Sequence, residues 1–150
     1  MGKSGIGENA FERLGGVEGI TALVRRFYQV MEEMPEAARL RQMHPPDIQP
    51  VREKLTMFLC GWLGGPPLYA SKFGPINLTE LHLHLNINTT EKQLWLSCMA
   101  NALKKHQVDA ALAANLIASL EVPAEKIART CQQQQKSVPG VLPTEPPGTF

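Results

Sequence analysis

The chain has 150 residues, 43% of them hydrophobic and 19% charged, and its formal net charge is +1. That is the length of one domain with enough apolar material for one core. So small a charge, with no basic stripe interleaved with aromatics, excludes a nucleic-acid module, and no stretch approaches the roughly 20 apolar residues of a membrane span. The first residues, Met1-Gly2-Lys3-Ser4-Gly5, carry no apolar secretory core. Three cysteines form neither a disulfide framework nor a CxxC pair, so a reducing cytoplasm is the expected location. Cys60 and Cys98 fall inside apolar periodic segments and read as small buried hydrophobes.

In chain order, Gly15-Gly16 separates a short segment, about Ala10 to Leu14, from a periodic one. Ile20, Leu23, Val24, Phe27, Tyr28, Met31 and Met34 form one continuous helical stripe, which should end near Met34-Pro35. Glu36 to Met43 has room for one or two turns before Pro45-Pro46. Asp47 is placed to cap a second amphipathic helix built on Val51, Leu55, Phe58, Leu59 and Trp62. Gly64-Gly65-Pro66-Pro67 stops that helix. Thr89 or Thr90 is expected to cap a third helix, with Leu94, Trp95, Cys98, Met99, Ala102 and Leu103 facing inward. A fourth begins near Val108 with Leu112, Leu116, Ile117 and Leu120 inward. Its pattern breaks at Pro123 and resumes over Ala124 to Gln135, as one kinked helix would. Residues 136–150 are rich in proline and glycine without periodicity and read as a disordered tail after a domain of residues 1–135. The fold expected is all-α.

Asn77 to Asn88 admits two readings. Leu81, Leu83, Leu85 and Ile87 alternate with His82, His84, Asn86 and Asn88, the period of a half-buried strand. On a strand, His82 and His84 share a face and suit a metal ion, with His44 or Glu80 completing the set. No second strand is evident to pair with it, however. The other reading is a short helix, about Leu78 to His84, on which only one of the two imidazoles faces a given pocket. A single inward imidazole suits an axial haem ligand.

Five features in order resemble the truncated haemoglobins of the second group. They are Arg26-Phe27-Tyr28, Met57-Phe58-Leu59 followed by Gly64-Gly65-Pro66, His82, Trp95-Leu96 with Cys98-Met99, and the proline-broken last helix at Pro123. The match runs from about Phe11 to Arg129, with His82 and Trp95 thirteen positions apart (95 − 82).

The resemblance implies a two-over-two helical sandwich that binds haem b, iron protoporphyrin IX. His82 would be the proximal iron ligand, its other ring N–H held by a backbone carbonyl. Tyr28 and Trp95 would donate hydrogen bonds to a diatomic ligand on the distal side, with His44 at the pocket's corner. Val51 and Leu55 would form the distal wall, and Phe58, Leu59 and Leu85 would help enclose the ring. Where the family carries arginines before the proximal histidine this chain has Asn77, Thr79 and Leu81, which leaves Lys54 and Lys72 as cations for the propionates. Leu85 stands where an aromatic is usual. The implied ligands are oxygen, nitric oxide and carbon monoxide, with a reductase as protein partner and a monomer or homodimer as the assembly. Peroxide or nitric oxide chemistry fits the same polar donors.

Taken singly, these residues have structural explanations. A tyrosine on an apolar stripe is usually core, Trp95 packs before it binds, and Met31, Met34, Met57 and Met99 fill gaps. His106, near a helix end, satisfies carbonyls there. Two further functions compete with oxygen binding. One is a haem-free globin fold serving as an interaction or sensory module, and the other is the His-x-His metal site.

Overall fold

The stripe that begins at Ile20 becomes helix α2 (Gly16–Glu33), whose buried face is Ile20, Leu23, Val24, Phe27, Tyr28, Val30 and Met31. Large apolar side chains of this kind contribute about 1.5–3 kcal/mol each when fully buried. The helix stops before Pro35, where Met34 takes an extended conformation. In the computed structural model, residues 10–74, 82, 85 and 87–137 are described. The other elements are α1 (Ala10–Arg13), a 3-10 turn (Pro35–Ala37), α3 (Ala38–Gln42), α4 (Gln49–Trp62), α5 (Leu68–Phe73), α6 (Thr89–Lys105) and α7 (Ala110–Ser137). Among the described residues there is no strand. The expected short helix at Leu78 to His84 and the tail after residue 137 lie outside the described residues.

Helix α2 packs on α4 and on α6, and α6 packs on α7, which gives the two layers of the truncated globin fold. The core between them holds Phe27, Leu55, Leu59, Met99, Leu103, Leu112, Leu116 and Leu120. Cys60, Cys98 and Cys131 are all buried free thiols. Helix α1 docks on the end of α4 through the Phe11 amide, which donates to the Leu63 carbonyl at 3.2 Å. The Phe11 ring occupies the space where a Cβ on Gly65 would lie, and Gly64 takes a φ of 99°. The Gly-Gly pair is therefore required both to turn the chain and to admit α1.

Several boundaries differ from expectation for identifiable reasons. Helix α6 is capped by Asn88 rather than by a threonine. Asn88 and Glu91 form a reciprocal capping box, the Glu91 amide donating to Asn88 Oδ1 at 3.2 Å and the Asn88 amide to Glu91 Oε1 at 3.0 Å. Asp47 lies one residue before the N-cap Ile48, and its carboxylate accepts from the Gln49 amide at 3.2 Å. Helix α5, unforeseen in the sequence, is a single short segment with Tyr69 buried. Pro123 lies inside one continuous helix from Ala110 to Ser137. Leu96 is buried beside the expected inward set of α6. His106 is the C-cap of that helix, and its backbone N–H donates to Ala102.

Candidate functional site

Between the α3–α4 side of the molecule and the α6–α7 side lies an apolar cleft, partly open to solvent. One wall carries Leu40, Met43 and His44 around α3, with Leu55 and Phe58 from α4. The facing wall carries Ile87, Glu91, Lys92 and Trp95 around the start of α6, with Leu120, Pro123, Ala124 and Ile127 from α7. His82 and Leu85 complete the lining from the connection before α6.

Of the residues singled out from sequence, the cleft thus brings together His44, Leu55, Phe58, His82, Leu85 and Trp95. Val51 is buried at 4% exposure but is not part of the described lining. Leu59 lines a second, smaller cavity with Leu14, Leu63, Met99, Leu116 and Leu120. Lys54 and Lys72 are not on the described cleft wall either; their ammonium groups lie 5.8 and 5.6 Å from the centroid of the Phe73 ring. Each can lay its charge on the face of that ring. His84 lies outside the described residues.

His44 is held by its own chain. Its Nδ1 stands 2.9 Å from the Leu40 carbonyl oxygen. A carbonyl only accepts, so Nδ1 carries the proton and Nε2 keeps the lone pair. Burial lowers the imidazole pKa, the Leu40 bond opposes this, and the charges of Arg41 and His82 lower it further. The ring is therefore neutral near neutral pH.

Tyr28 sits behind His44, the two rings meeting edge-on with centroids 5.7 Å apart. Phe27 touches Tyr28 at 4.7 Å and Trp95 at 4.9 Å, both in edge geometry. Four rings in succession thus join α6, α2 and the end of α3. The Tyr28 hydroxyl is fully buried and has no hydrogen-bond partner. Burial raises its pKa, opposed by the Arg41 charge, so the phenol stays protonated and remains a donor. A buried hydroxyl left unmatched costs about 1–3 kcal/mol, which a hydrogen-bond acceptor placed beside it would recover.

His82 is 5% exposed. Its carbonyl accepts from the Leu85 amide at 3.0 Å, closing a turn, and from the Cys131 thiol at 3.3 Å. Burial pushes that thiol's pKa up, with the Ile87 backbone amide acting the other way. The last helix therefore holds the His82 carbonyl through Cys131.

Sequence reasoning missed Lys92. Its side chain is 6% exposed, and its ammonium lies 3.2 Å from Glu121 Oε2 and 2.8 Å from Glu125 Oε1. The two carboxylates flank Pro123, so the pair fastens α6 to α7 across the proline. Glu125 also accepts from Arg129 at 3.0 Å. Hydrogen bonds to Glu125 and Glu121 raise the Lys92 pKa, and the Lys92 bond holds Glu125 below the usual carboxylate range. Contacts 29 and 33 residues apart leave no local spacing signal. Glu91, 3% exposed, is bound by the capping box and lies 3.6 Å from Arg39.

Comparison with known proteins agrees with this architecture. The bacterial-like globin family matches residues 9–129. The group 2 truncated haemoglobin of Bacillus subtilis (strain 168) is 30% identical over 122 residues, which is 81% of this chain and 90% of that protein. Among solved structures, the group II 2-on-2 haemoglobin of Agrobacterium tumefaciens is 36% identical with a TM-score of 0.75, over 79% of this chain and 92% of its own. The truncated oxygen-avid haemoglobin of Bacillus subtilis is 30% identical with a TM-score of 0.72, over 79% and 98%. The ring succession, the apolar cleft and these matches converge: the chain belongs to the bacterial-like globins, a haem-binding family, and within them to the truncated haemoglobins of the second group.

Proposed function

We propose that the chain holds haem b in this cleft with His82 as the iron ligand, and that it binds diatomic gases there, oxygen foremost, with nitric oxide and carbon monoxide as alternatives. The observation that carries the reading is the pairing of His82 and His44 on one apolar cleft with an orphaned, buried Tyr28 hydroxyl beside His44. Haem fits this lining: it is mostly apolar, and it presents one histidine from the connection before α6 and another from the end of α3.

Haem supplies a coordination position for a small ligand when it is bound. The chain's own residues do the rest. His82, fixed at its carbonyl by Leu85 and Cys131, presents an imidazole whose backbone cannot drift far. Tyr28, protonated and unpaired, is a donor ready for a ligand oxygen, and Trp95 adds an indole N–H on the same cleft. His44 stays neutral and offers the Nε2 lone pair, which can accept from the phenol or order a water beside it. Leu55, Phe58 and Leu120 give the lining its apolar character, which strengthens each of these polar contacts. A cytoplasmic setting and a reductase as partner complete the reading. The oxygen avidity of the Bacillus subtilis relative supports it.

Lys54 and Lys72 sit over Phe73, and Lys92 is already paired with two carboxylates, so cations for the propionates are scarce on the described lining. This makes haem retention the decisive test. After reconstitution with haemin, the chain is expected to keep a Soret band through gel filtration and to shift it with carbon monoxide on reduction. His82→Ala should lose the haem, while His84→Ala should leave the spectrum nearly unchanged. The reverse pair of results overturns the ligand assignment. Haem that elutes apart from the unaltered chain overturns the whole reading in favour of a haem-free globin module.

A further inference from the structure

We infer that Arg41 is a positioning residue: its guanidinium ties the turn after His44 to the helix that carries Tyr28, and so sets the placement of these two groups in the cleft. Arg41 Nη1 donates to the Pro45 carbonyl at 3.0 Å and Nη2 to the Pro46 carbonyl at 3.1 Å, while Nε donates to Glu32 Oε2 at 3.0 Å. All three bonds come from one planar fork, a geometry that lysine's single ammonium cannot reproduce.

The turn has a physical need for such a partner. Pro45 and Pro46 have no N–H, so two successive residues cannot donate to any backbone ladder. Their carbonyls lie outside helix and strand, and the guanidinium binds both. His44 immediately precedes them, and its ring is fixed at Nδ1 by Leu40, the residue before Arg41. On the other side of the clamp, Glu32 stands one turn beyond Tyr28 on α2. The edge contact between Tyr28 and His44 is thus bracketed by Arg41: the guanidinium reaches both the helix of the one and the turn of the other.

A merely stabilising role accounts poorly for the arrangement. The Arg41 side chain is 22% exposed and Glu32 51%, and partly exposed ion pairs of this kind contribute little to stability. The two proline carbonyls, by contrast, are positional contacts that depend on the fork's shape and not on charge alone.

The part of the inference that concerns bound gases rests on the haem reading above, so the experiment has one readout that needs haem and one that does not. Arg41→Lys keeps the charge and loses the fork; Arg41→Met loses both. In the haem-free chain, long-range proton–nitrogen NMR of the His44 ring is expected to show a single Nδ1–H tautomer, which both variants turn into an averaged one. In the reduced carbon monoxide complex, the single C–O stretching band is expected to shift or split alike in both variants. Oxygen dissociation should quicken roughly tenfold, about the effect of one lost hydrogen bond. Glu32→Gln, which removes one anchor of the clamp, should give a smaller shift of the same sign and serves if Arg41→Met fails to fold. Three results overturn the inference: an unchanged tautomer in both Arg41 variants, a lower melting temperature with an unmoved C–O band, or an Arg41→Lys that matches the unaltered chain while only Arg41→Met departs. If the unaltered chain holds no haem, the functional reading fails and the tautomer comparison alone decides the role of Arg41.

Discussion

His44 and His82 face one cleft, yet they are held there by different kinds of contact. The His44 ring bonds to Leu40, four residues back, and the turn after it is bound by Arg41, four and five residues before the carbonyls it reaches. The His82 carbonyl is bound by Cys131, 49 residues away, and the wall beside it is closed by Lys92 bridging 29 and 33 residues to α7. The first side is nearly complete in a short stretch of chain. The second exists only when α6 and α7 have docked, because distant contacts form only after loop closure has been offset by packing. A disturbance of α7 should therefore loosen His82 and spare His44.

Cys131→Ala is the strongest way to test that asymmetry. It removes the thiol of a residue that is 1% exposed together with its bond to the His82 carbonyl, and should cost about 1–2 kcal/mol in urea unfolding. Amide exchange at Leu85 and Ile87 should quicken, while Met43 and His44 exchange as before. Equal acceleration on both sides would show that the cleft opens as one unit and that the contrast has no dynamic content.

Tyr28→Phe has an effect about half as large and of the opposite sign. Deleting a buried, unmatched hydroxyl should stabilise the haem-free chain by about 1 kcal/mol. Oxygen release from the haem-loaded protein should become faster at the same time. A haem-free chain destabilised by the substitution would mean that the hydroxyl has a partner in solution, and its readiness to serve a ligand would fall with it.

The same contrast explains what was legible in the sequence. Periodicity placed α2, α4, α6 and α7 because each buries one stripe, and Pro35 and Gly64 marked ends because their backbone constraints act locally. The cap of α6 lies one or two residues before the expected threonines, because Asn88 with Glu91 three positions on satisfies the reciprocal pattern. Trp95 and Phe58 line the cleft. Lys54 and Lys72 could not be placed by residue type alone: their ammonium groups lie near the Phe73 ring, on a helix the sequence pattern did not reveal. Lys92 was illegible because its partners come from a distant helix.

Acid titration should separate the two sides by pH, with the smallest change. The folded pKa of His44 lies below its unfolded value, so between the two the unfolded chain binds more protons and stability falls as pH drops below about 6.5. Glu125 is also depressed in the folded state. Its contribution is present above the unfolded carboxylate value of about 4.3 and is lost as pH falls through the folded one. Lys92, raised when folded, contributes below about 10.4 and ceases to as pH rises through its folded value. The stability difference between the unaltered chain and His44→Phe should therefore change between pH 7 and 5, where that for Glu125→Gln stays flat. Below about pH 4 the order should reverse, with Glu125→Gln supplying the pH-dependent difference. If both differences moved in the same interval, His44 and the Lys92 clamp would be one coupled network, and the local side of the cleft would owe its stability to the distant one.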